Sequence, residues 1–404
     1  MKNITMHKLL TILLIGLVLS SSSQTTEQKA AEIHDKVFTI DSHTDTPLKF
    51  FNGDYNIGVE HDGRKGEGKI DIPRMEKGGL DAVFFAVFIG QGERDSIGHA
   101  KAFEKAEQIF EATYKEVKKN SDKAEIATTP ELGYELEKKG KRAIYLGIEN
   151  GYPIGNNLDN INHFYNLGAR YITIVHSHNN DISDSSTDKI GPEYNGLSAF
   201  GEDVVERMNE LGIMIDISHA SDSAFYDVLE LSSVPVIASH SCARALCDNP
   251  RNLSDDMLKA LAEKDGVIQM CILSNYVKKL EQNPERIEGK KAFRKKHSDW
   301  SNYTEEERKA GLKDWYQLDV DFPPNLATVS DAVDHIDHIV KVAGIDHVGI
   351  GTDFDGGGGL QDCIDASELG NITLELVKRG YSEEDIRKIW GGNFMRVFRA
   401  VAVK

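Results

Sequence analysis

The segment IDSHTDTP, residues 40–47, places His43 and Asp45 two positions apart, directly after the apolar run VFTI. In a β-strand, residues i and i+2 point to the same face, so both side chains are expected to aim at one spot just beyond a strand. Imidazole and carboxylate together suit zinc and its first-row neighbours. The spacing indicates a metal site, and the competing interpretation is two polar residues in an ordinary loop.

Polar side chains recur at the ends of later apolar runs. Glu149, His176, His219, His240 and Asp353 each close such a run. A single histidine at the end of a strand is more often a packed residue than a ligand. Six of the eight predicted strands, however, end in His, Asp or Glu, and this repetition predicts one shared site.

The elements that must position these residues are apolar runs rich in Val and Ile. We predict eight strands, at residues 37–43, 82–89, 143–149, 171–177, 213–219, 235–240, 266–273 and 347–354. Helical patterns lie between many of them, including residues 100–117 and 331–344. This alternation predicts an α/β fold, a (β/α)8 TIM-type barrel, with a doubly wound open sheet as the alternative. The barrel is favoured because the carboxyl ends of its strands converge on one face, where active sites are built.

One segment, residues 278–315, is highly charged and lies between the seventh and eighth predicted strands. Such a run predicts a solvated helical insertion before the last strand. It would emerge on the active-site face of the barrel, so a lid or a partner surface is the alternative interpretation.

The bulk composition limits the partners and the location of the protein. The chain has 404 residues and a formal charge of −18 without a dominant basic patch, so nucleic acid and anionic membrane surfaces are not expected partners. Residues 1–23 are typical of a signal peptide, with Lys2 and Lys8 before the apolar run 9–19 and small serines after it. We therefore predict an exported protein, periplasmic or secreted, with one domain over residues 24–404 and no membrane span in the mature chain. An uncleaved anchor is the alternative.

Other residues with possible chemistry are predicted to be structural. The four cysteines contain no CxxC pair and are expected to be buried small hydrophobes rather than disulfides. His335 and His338 lie three positions apart on an amphipathic helix, where helix packing or capping explains them.

The strand-end residues can be considered together as a metal site. Three histidines and two carboxylates exceed what one tetrahedral zinc with an open position requires. They suit two metals that share a bridging carboxylate, hold a hydroxide and polarise a carbonyl. Glu149, alone at its strand end, is the natural bridge.

The sequence resembles the membrane dipeptidase (renal dipeptidase) family of dizinc peptidases, within the amidohydrolase-like barrels. The resemblance runs from about residue 33 to the C-terminus and rests on DSHTDTP, GIENG, YITIVHSHNN, DISHAS, ASHSCARALCDNPRN, GTDFDG and GGNFMRV. Two positions depart from it. Tyr152 stands where many relatives have a histidine, and His178 replaces a cysteine common in mammalian members.

The resemblance implies two zinc ions per chain. His43 and Asp45 are expected to bind the first zinc and His219 and His240 the second, while Glu149 bridges both.

The resemblance also implies roles toward a dipeptide substrate. His176 matches the substrate-binding histidine near the scissile carbonyl and is expected to stabilise the oxyanion. Arg251 matches the arginine that grips the substrate carboxylate, a task suited to a guanidinium fork. Asp353 matches the residue that transfers the proton to the leaving nitrogen.

The leading hypothesis is a zinc-dependent dipeptidase in which a hydroxide between the two metals attacks the peptide carbonyl. A related binuclear-metal hydrolase of an amide, lactone or β-lactam on the same barrel is the alternative, since fold alone does not decide the substrate. A third possibility is a catalytically silent metal-binding protein. Relatives also suggest a homodimer.

Overall fold

The computed structural model describes residues 24–53, 55–297 and 303–402. The predicted signal peptide, residues 1–23, lies outside these ranges. Within them, no helix combines the length and the apolar character that crossing a membrane requires.

The described chain contains one parallel sheet. Its strands are β1 (Ile40–Thr44), β2 (Ala82–Phe88), β3 (Ala124–Ile126), β4 (Arg142–Glu149), β5 (Ala169–Thr173), β6 (Met214–Asp216), β7 (Ile237–Ser241), β8 (Val267–Met270) and β9 (Val348–Ile350). Their order is β1-β2-β4-β5-β6-β7-β8-β9, and β3 pairs with β4 outside this path. A parallel bridge between Thr44 and Phe354 joins the two ends, so eight strands form a nearly closed barrel.

Helices follow most of the strands. They are α1 (Thr26–Lys36), α2 (Pro47–Phe51), α3 (Ile72–Lys77), α4 (Ser96–Lys119), α5 (Pro130–Lys138), α6 (Asp159–Asn166), α7 (Ala199–Leu211), α8 (Asp222–Leu231), α9 (Asp255–Glu263), α10 (Ser274–Val277), α11 (Pro284–Lys296), α12 (Glu305–Asp321), α13 (Val329–Ala343), α14 (Gly370–Lys378), α15 (Glu383–Arg387) and α16 (Asn393–Ala402). Short 3₁₀ turns lie at Gly63–Lys65, Tyr152–Ile154, Ile345–His347 and Ala366–Glu368, and a π turn lies at Lys388–Gly392. The prediction of a (β/α)8 TIM-type barrel is confirmed.

The charged insertion is helical, as predicted. It contributes α11 and the first part of α12 between β8 and β9. None of the residues of α11 is buried, which agrees with a solvated excursion from the barrel.

The short strand β3 is absent from the sequence prediction. It pairs with the first three residues of β4, whereas β5 pairs with the second half of the same strand. Three residues, AEI, are too few to show a periodic pattern, so hydrophobic alternation could not identify this element.

A side chain completes the junction between β1 and β9. The fully buried carboxylate of Asp41 accepts hydrogen bonds from the backbone N–H of Thr352 at 2.8 Å and from its hydroxyl at 2.5 Å. The backbone N–H of Asp353 also donates to the carbonyl oxygen of His43 at 3.0 Å. The first and last barrel strands are thus held together largely at their carboxyl ends.

The predicted structural residues have structural partners. All four cysteines are free and buried, which confirms their prediction. His335 Nδ1 accepts from the backbone N–H of Ala243 at 3.1 Å, and its Nε2 lies 2.7 Å from the carbonyl oxygen of Val277. His338 Nε2 lies 2.7 Å from a carboxylate oxygen of Asp255. Both histidines serve packing between elements, as predicted.

Candidate metal centre and active site

The predicted strand-end residues lie at the carboxyl ends of the barrel strands. Glu149 is the last residue of β4, and His43 and His240 lie within β1 and β7. His176 and His219 lie three residues beyond the ends of β5 and β6, so their strands are shorter than predicted.

Local backbone irregularities accompany several of these residues. The pairing register shifts between Asp41 and Thr44 in β1 and between Ala238 and Ser241 in β7. These steps contain His43 and His240, and bulges of this kind redirect side chains next to active sites. His219 (φ +71°) and Asp353 (φ +58°) have left-handed backbone conformations, which are uncommon for non-glycine residues and are found at turns and at functional sites.

The carboxylate of Glu149 is the centre of the cluster. Its Oε1 lies 3.1 Å from His219 Nε2, 3.5 Å from His176 Nε2 and 3.6 Å from His240 Nε2. Its Oε2 lies 3.5 Å from His43 Nε2. Four imidazoles from four strands therefore surround one buried carboxylate, as the convergence of barrel strands predicts.

Several atoms that face this centre are buried without a hydrogen-bond partner in the described part of the chain. They are His43 Nε2, Asp45 Oδ1 and Glu149 Oε2. Orphaned buried polar atoms are costly unless a ligand satisfies them. Imidazole nitrogen and carboxylate oxygen are donors that bind zinc-like cations, so these residues fit a bound metal.

Distances alone divide the cluster into two overlapping groups of donors around Glu149. His43 and His240 complete one group, and His176 and His219 complete the other. The family resemblance instead pairs His43 with Asp45 and His219 with His240. Asp45 is in neither group of donors, whereas His219 Nε2 and His240 Nε2 lie 3.0 Å apart, and Glu149 is the carboxylate common to both groups.

Burial shifts the protonation equilibria of the cluster. Burial raises the pKa of Glu149 to about 8 and raises the pKa values of Asp45 and Asp353 well above the usual range, with nearby carboxylates adding to the effect on both aspartates. Burial likewise lowers the pKa of His176 to about 3, with the Arg251 charge as the next cause. A bound divalent cation reverses this preference at the carboxyl groups, because it favours their deprotonated form.

Metal-free protein is expected to lose stability as the pH rises from about 6.5 to about 8. In this window Glu149 remains protonated in the folded state, with a pKa of about 8, but not in the unfolded chain, where the ordinary value is 4.5. The folded state therefore binds more protons, and each such carboxyl contributes a slope of up to about −1.4 kcal/mol per pH unit to the free energy of unfolding. Below pH 6.5 the histidines whose pKa values are lowered by burial, such as His219 and His240, act in the opposite direction.

Urea unfolding at pH 6.5, 7 and 8 in the presence of a chelator measures this slope. Glu149→Gln removes one of the titrating carboxyl groups and should make the slope less steep by up to about 1.4 kcal/mol per pH unit. A free energy of unfolding that is constant or rises over this window in the wild-type protein would contradict the assignment.

One supporting residue, Tyr171, was missed by sequence reasoning. Its hydroxyl lies 2.9 Å from His43 Nδ1, the ring nitrogen that faces away from Glu149. Gly147 makes room for the ring, since a Cβ at that position would lie 2.4 Å from Tyr171 ring carbons. An outer contact of this kind orients a metal-ligating imidazole.

Arg251 is buried close to the same centre. Its guanidinium donates to the carbonyl oxygen of His240 at 3.2 Å and lies 5.2 Å from the centre of the Tyr276 ring. Its Nε has no hydrogen-bond partner within the described residues. A buried guanidinium with spare donor capacity beside a metal-type centre is suited to binding an anion.

The loop after β9 brings its backbone close to two carboxylates. A Cβ at Gly356 would lie 2.2 Å from Asp353 Oδ1 and 2.6 Å from Asp45 Oδ2. Glycine at position 356 therefore lets the chain turn directly against the centre.

The two departures from the family pattern occupy different environments. Tyr152 is buried, and its hydroxyl donates to the carbonyl oxygen of Glu93 at 2.5 Å. The side chain of His178 is 62% exposed.

Known proteins similar to this chain include dipeptidases. A family model described as "Membrane dipeptidase (Peptidase family M19)" matches residues 27–404. Dipeptidase tcpJ of Claviceps purpurea is 32% identical over 340 residues, which cover 83% of this chain and 69% of that protein. Human Dipeptidase 3 is 32% identical over 369 residues, which cover 90% of this chain but only 64% of the relative.

Solved structures share the fold. The probable dipeptidase PvdM from Pseudomonas aeruginosa aligns with a TM-score of 0.79 at 31% identity, over 93% of this chain and 98% of that one. A metallo peptidase from Rhodobacter sphaeroides, liganded with a phosphinate mimic of the dipeptide L-Ala-D-Ala, aligns with a TM-score of 0.72 at 22% identity, over 90% and 99% of the two chains.

The fold and the cluster together define a (β/α)8-barrel enzyme built around a metal-binding centre. The chain belongs to the membrane dipeptidase family, peptidase family M19, as its motifs predict.

Proposed function

We propose that this chain is a zinc-dependent dipeptidase with two zinc ions bridged by Glu149. The observation that carries the proposal is the position of the Glu149 carboxylate, within 3.1–3.6 Å of four imidazole nitrogens at the carboxyl face of the barrel. Membership of the membrane dipeptidase family gives the substrate class.

We assign the ligands as the resemblance implies, with His43 and Asp45 on one zinc and His219 and His240 on the other. Two bound zinc ions would polarise the peptide carbonyl and generate a nucleophile from water at neutral pH. The buried side chains of these residues would hold the ions in place.

The remaining residues act on the substrate. His176, whose side chain is 24% exposed, reaches the centre from the open side and would donate a hydrogen bond to the carbonyl oxygen as negative charge develops there. Arg251 would bind the free carboxylate of the dipeptide. Asp353, with a pKa raised by burial, would carry the proton to the leaving nitrogen.

Metal analysis of the purified protein, followed by assays with a dipeptide panel and with amide, lactone and β-lactam substrates, tests this proposal. We expect close to two zinc ions per chain and preferential hydrolysis of dipeptides. An active protein without metal, or one that prefers a lactone, would contradict it.

Arg251 is expected to make the enzyme selective for a free C-terminal carboxylate. Arg251→Lys keeps the charge but loses the fork, and Arg251→Ala loses both, so catalytic efficiency toward dipeptides should fall by the value of one charge-assisted hydrogen bond, about 1.5–3 kcal/mol or about 10–150-fold. The ratio of efficiencies toward a dipeptide and its C-terminal amide should collapse in both variants.

A matched control is Arg244→Ala. Arg244 lies in the same connection between β7 and α9 but pairs with Asp222 at 2.6 Å. This variant should keep the preference for free dipeptides. Equal cleavage of free and amidated dipeptides by the wild-type enzyme would rule out the carboxylate clamp.

The N-terminal segment and the assembly state belong to the same proposal. Residues 1–23 are proposed to be removed on export, to the periplasm or the medium, and N-terminal sequencing of the mature protein would locate the cleavage site. The mature domain, residues 24–404, is proposed to form a homodimer, which light scattering would measure.

A further inference from the structure

Behind His240 lies a buried carboxylate that the proposed reaction does not use. Asp216, the last residue of β6, is fully buried and accepts four hydrogen bonds. Its Oδ1 accepts from the backbone N–H groups of Ser218 at 3.0 Å and Ser239 at 2.8 Å. Its Oδ2 accepts from the hydroxyls of Thr173 at 2.5 Å and Ser239 at 2.6 Å. A carboxylate only accepts hydrogen bonds, so it matches all four donors.

The hydroxyl of Ser239 also contacts His240. Its oxygen lies 2.8 Å from His240 Nδ1. A serine hydroxyl has one hydrogen, and Ser239 donates it to Asp216, so Ser239 must accept at His240. The proton of a neutral His240 therefore lies on Nδ1, and the lone pair of Nε2 faces Glu149 and His219.

The neighbouring contact agrees with this assignment. His240 Nε2 lies 3.0 Å from His219 Nε2, a distance that needs one donor and one acceptor. With its proton on Nδ1, His240 is the acceptor. His219 itself has no partner at Nδ1 within the described residues, so the outer contacts fix His240 but not His219.

We propose that Asp216 is a positioning residue that acts through Ser239 to fix the tautomer and orientation of His240 as a metal ligand. The Asp216–Ser239–His240 relay extends the usual carboxylate–histidine support of a metal site by one hydroxyl. The contribution of the relay to zinc affinity rests on the proposed function. The tautomer that the relay gives His240 is independent of that function.

Asp216→Asn tests the relay with little change of shape. The amide oxygen is held by the two backbone N–H groups at the Oδ1 position, so the amide NH₂ faces the Ser239 hydroxyl. Ser239 must then accept from Asn and donate to His240 Nδ1, which moves the histidine proton to Nε2. In metal-free protein with ¹⁵N-labelled histidine, the NMR signals of His240, assigned by their loss in His240→Gln, should change from the Nδ1–H to the Nε2–H pattern. Zinc affinity, measured by chelator competition, should fall about 10–100-fold.

Two further variants separate positioning from a merely structural role. Ser239→Ala removes the acceptor at His240 Nδ1. Because Ser239 Oγ also lies 3.4 Å from His43 Nδ1, the His240 NMR signals and not the zinc affinity decide the question if Asp216→Asn does not fold, and they should lose the exclusive Nδ1–H pattern. Thr173→Val removes the other hydroxyl donor to the same Asp216 oxygen but has no contact with the His240 ring in the described structure. It should keep the Nδ1–H signal and lose less than about threefold in zinc affinity.

An unchanged His240 tautomer in Asp216→Asn would overturn the relay, as would an equal loss of zinc affinity in Thr173→Val. A wild-type protein that binds no zinc, with the tautomer change still present in Asp216→Asn, would contradict the proposed function and support the relay.

Discussion

Glu149→Gln is expected to cause large losses of both bound metal and peptide hydrolysis. Glutamine keeps the size of the side chain but cannot bridge two cations as a carboxylate does, so the zinc content should fall from close to two ions to one or fewer per chain. Metal ions contribute several kcal/mol of transition-state stabilisation, so turnover should fall by about 10³-fold or more. Elemental analysis and dipeptide kinetics on the same preparation measure both quantities.

Glu116→Gln provides a matched control for this loss. Glu116 is also a buried glutamate, but it lies on α4, away from the centre. Its Oε1 accepts a hydrogen bond from the backbone N–H of Ile57 at 3.1 Å. This variant should lose some thermal stability and keep its metal and activity. Full zinc loading in Glu149→Gln would exclude Glu149 as the bridging ligand. A second variant, His43→Ala, should lose the zinc ion of one site and keep the other.

Asp353→Asn is expected to separate proton transfer from metal binding. Asparagine preserves the shape and the left-handed turn but removes the titrating group. Metal content should remain near the wild-type value, while turnover falls by about 10²–10⁴-fold, the usual contribution of general acid–base catalysis. Zinc analysis and single-substrate kinetics test both parts of this expectation.

The neighbouring aspartate supplies the comparison. Asp355 also has a left-handed backbone conformation (φ +66°), but its carboxylate accepts from the hydroxyl of Thr46 at 2.8 Å and from the backbone N–H of Lys69 at 3.0 Å. Asp355→Asn should lower the melting temperature with only a modest change in turnover. If Asp353→Asn behaved in the same way, Asp353 would be a loop residue and not a proton carrier.

The residue types at the ends of apolar runs were sufficient to predict the barrel and its functional face. His43, Glu149 and His240 could be identified because each interrupts an otherwise apolar segment, and a closed parallel barrel brings the ends of all its strands to one face. Some predicted strands extend beyond the observed ones, as at His176 and His219. The reason is that apolar loop residues continue the hydrophobic run past the last hydrogen bond between the strands.

The outer residues of the centre could not be predicted in the same way. Asp216 and Ser239 are polar positions inside the apolar runs IMIDISH and PVIASH, which is a visible signal, but their role depends on the distance between β6 and β7. Tyr171 looks like an ordinary core aromatic until its hydroxyl is found beside His43. Distances across a barrel depend on register and on the bulges in β1 and β7, and the local sequence does not specify either.

The closure between β1 and β9 has a consequence for biogenesis. Asp41 and Thr352, which form this junction, are 311 positions apart in the chain. Contacts of such long range form late in folding, because the entropy of closing a large loop must be overcome first. His43 lies on one side of the junction and Asp353 on the other, so the complete centre exists only after the barrel has closed. A centre that contains both His43 and Asp353 would therefore become competent for catalysis only once folding is complete.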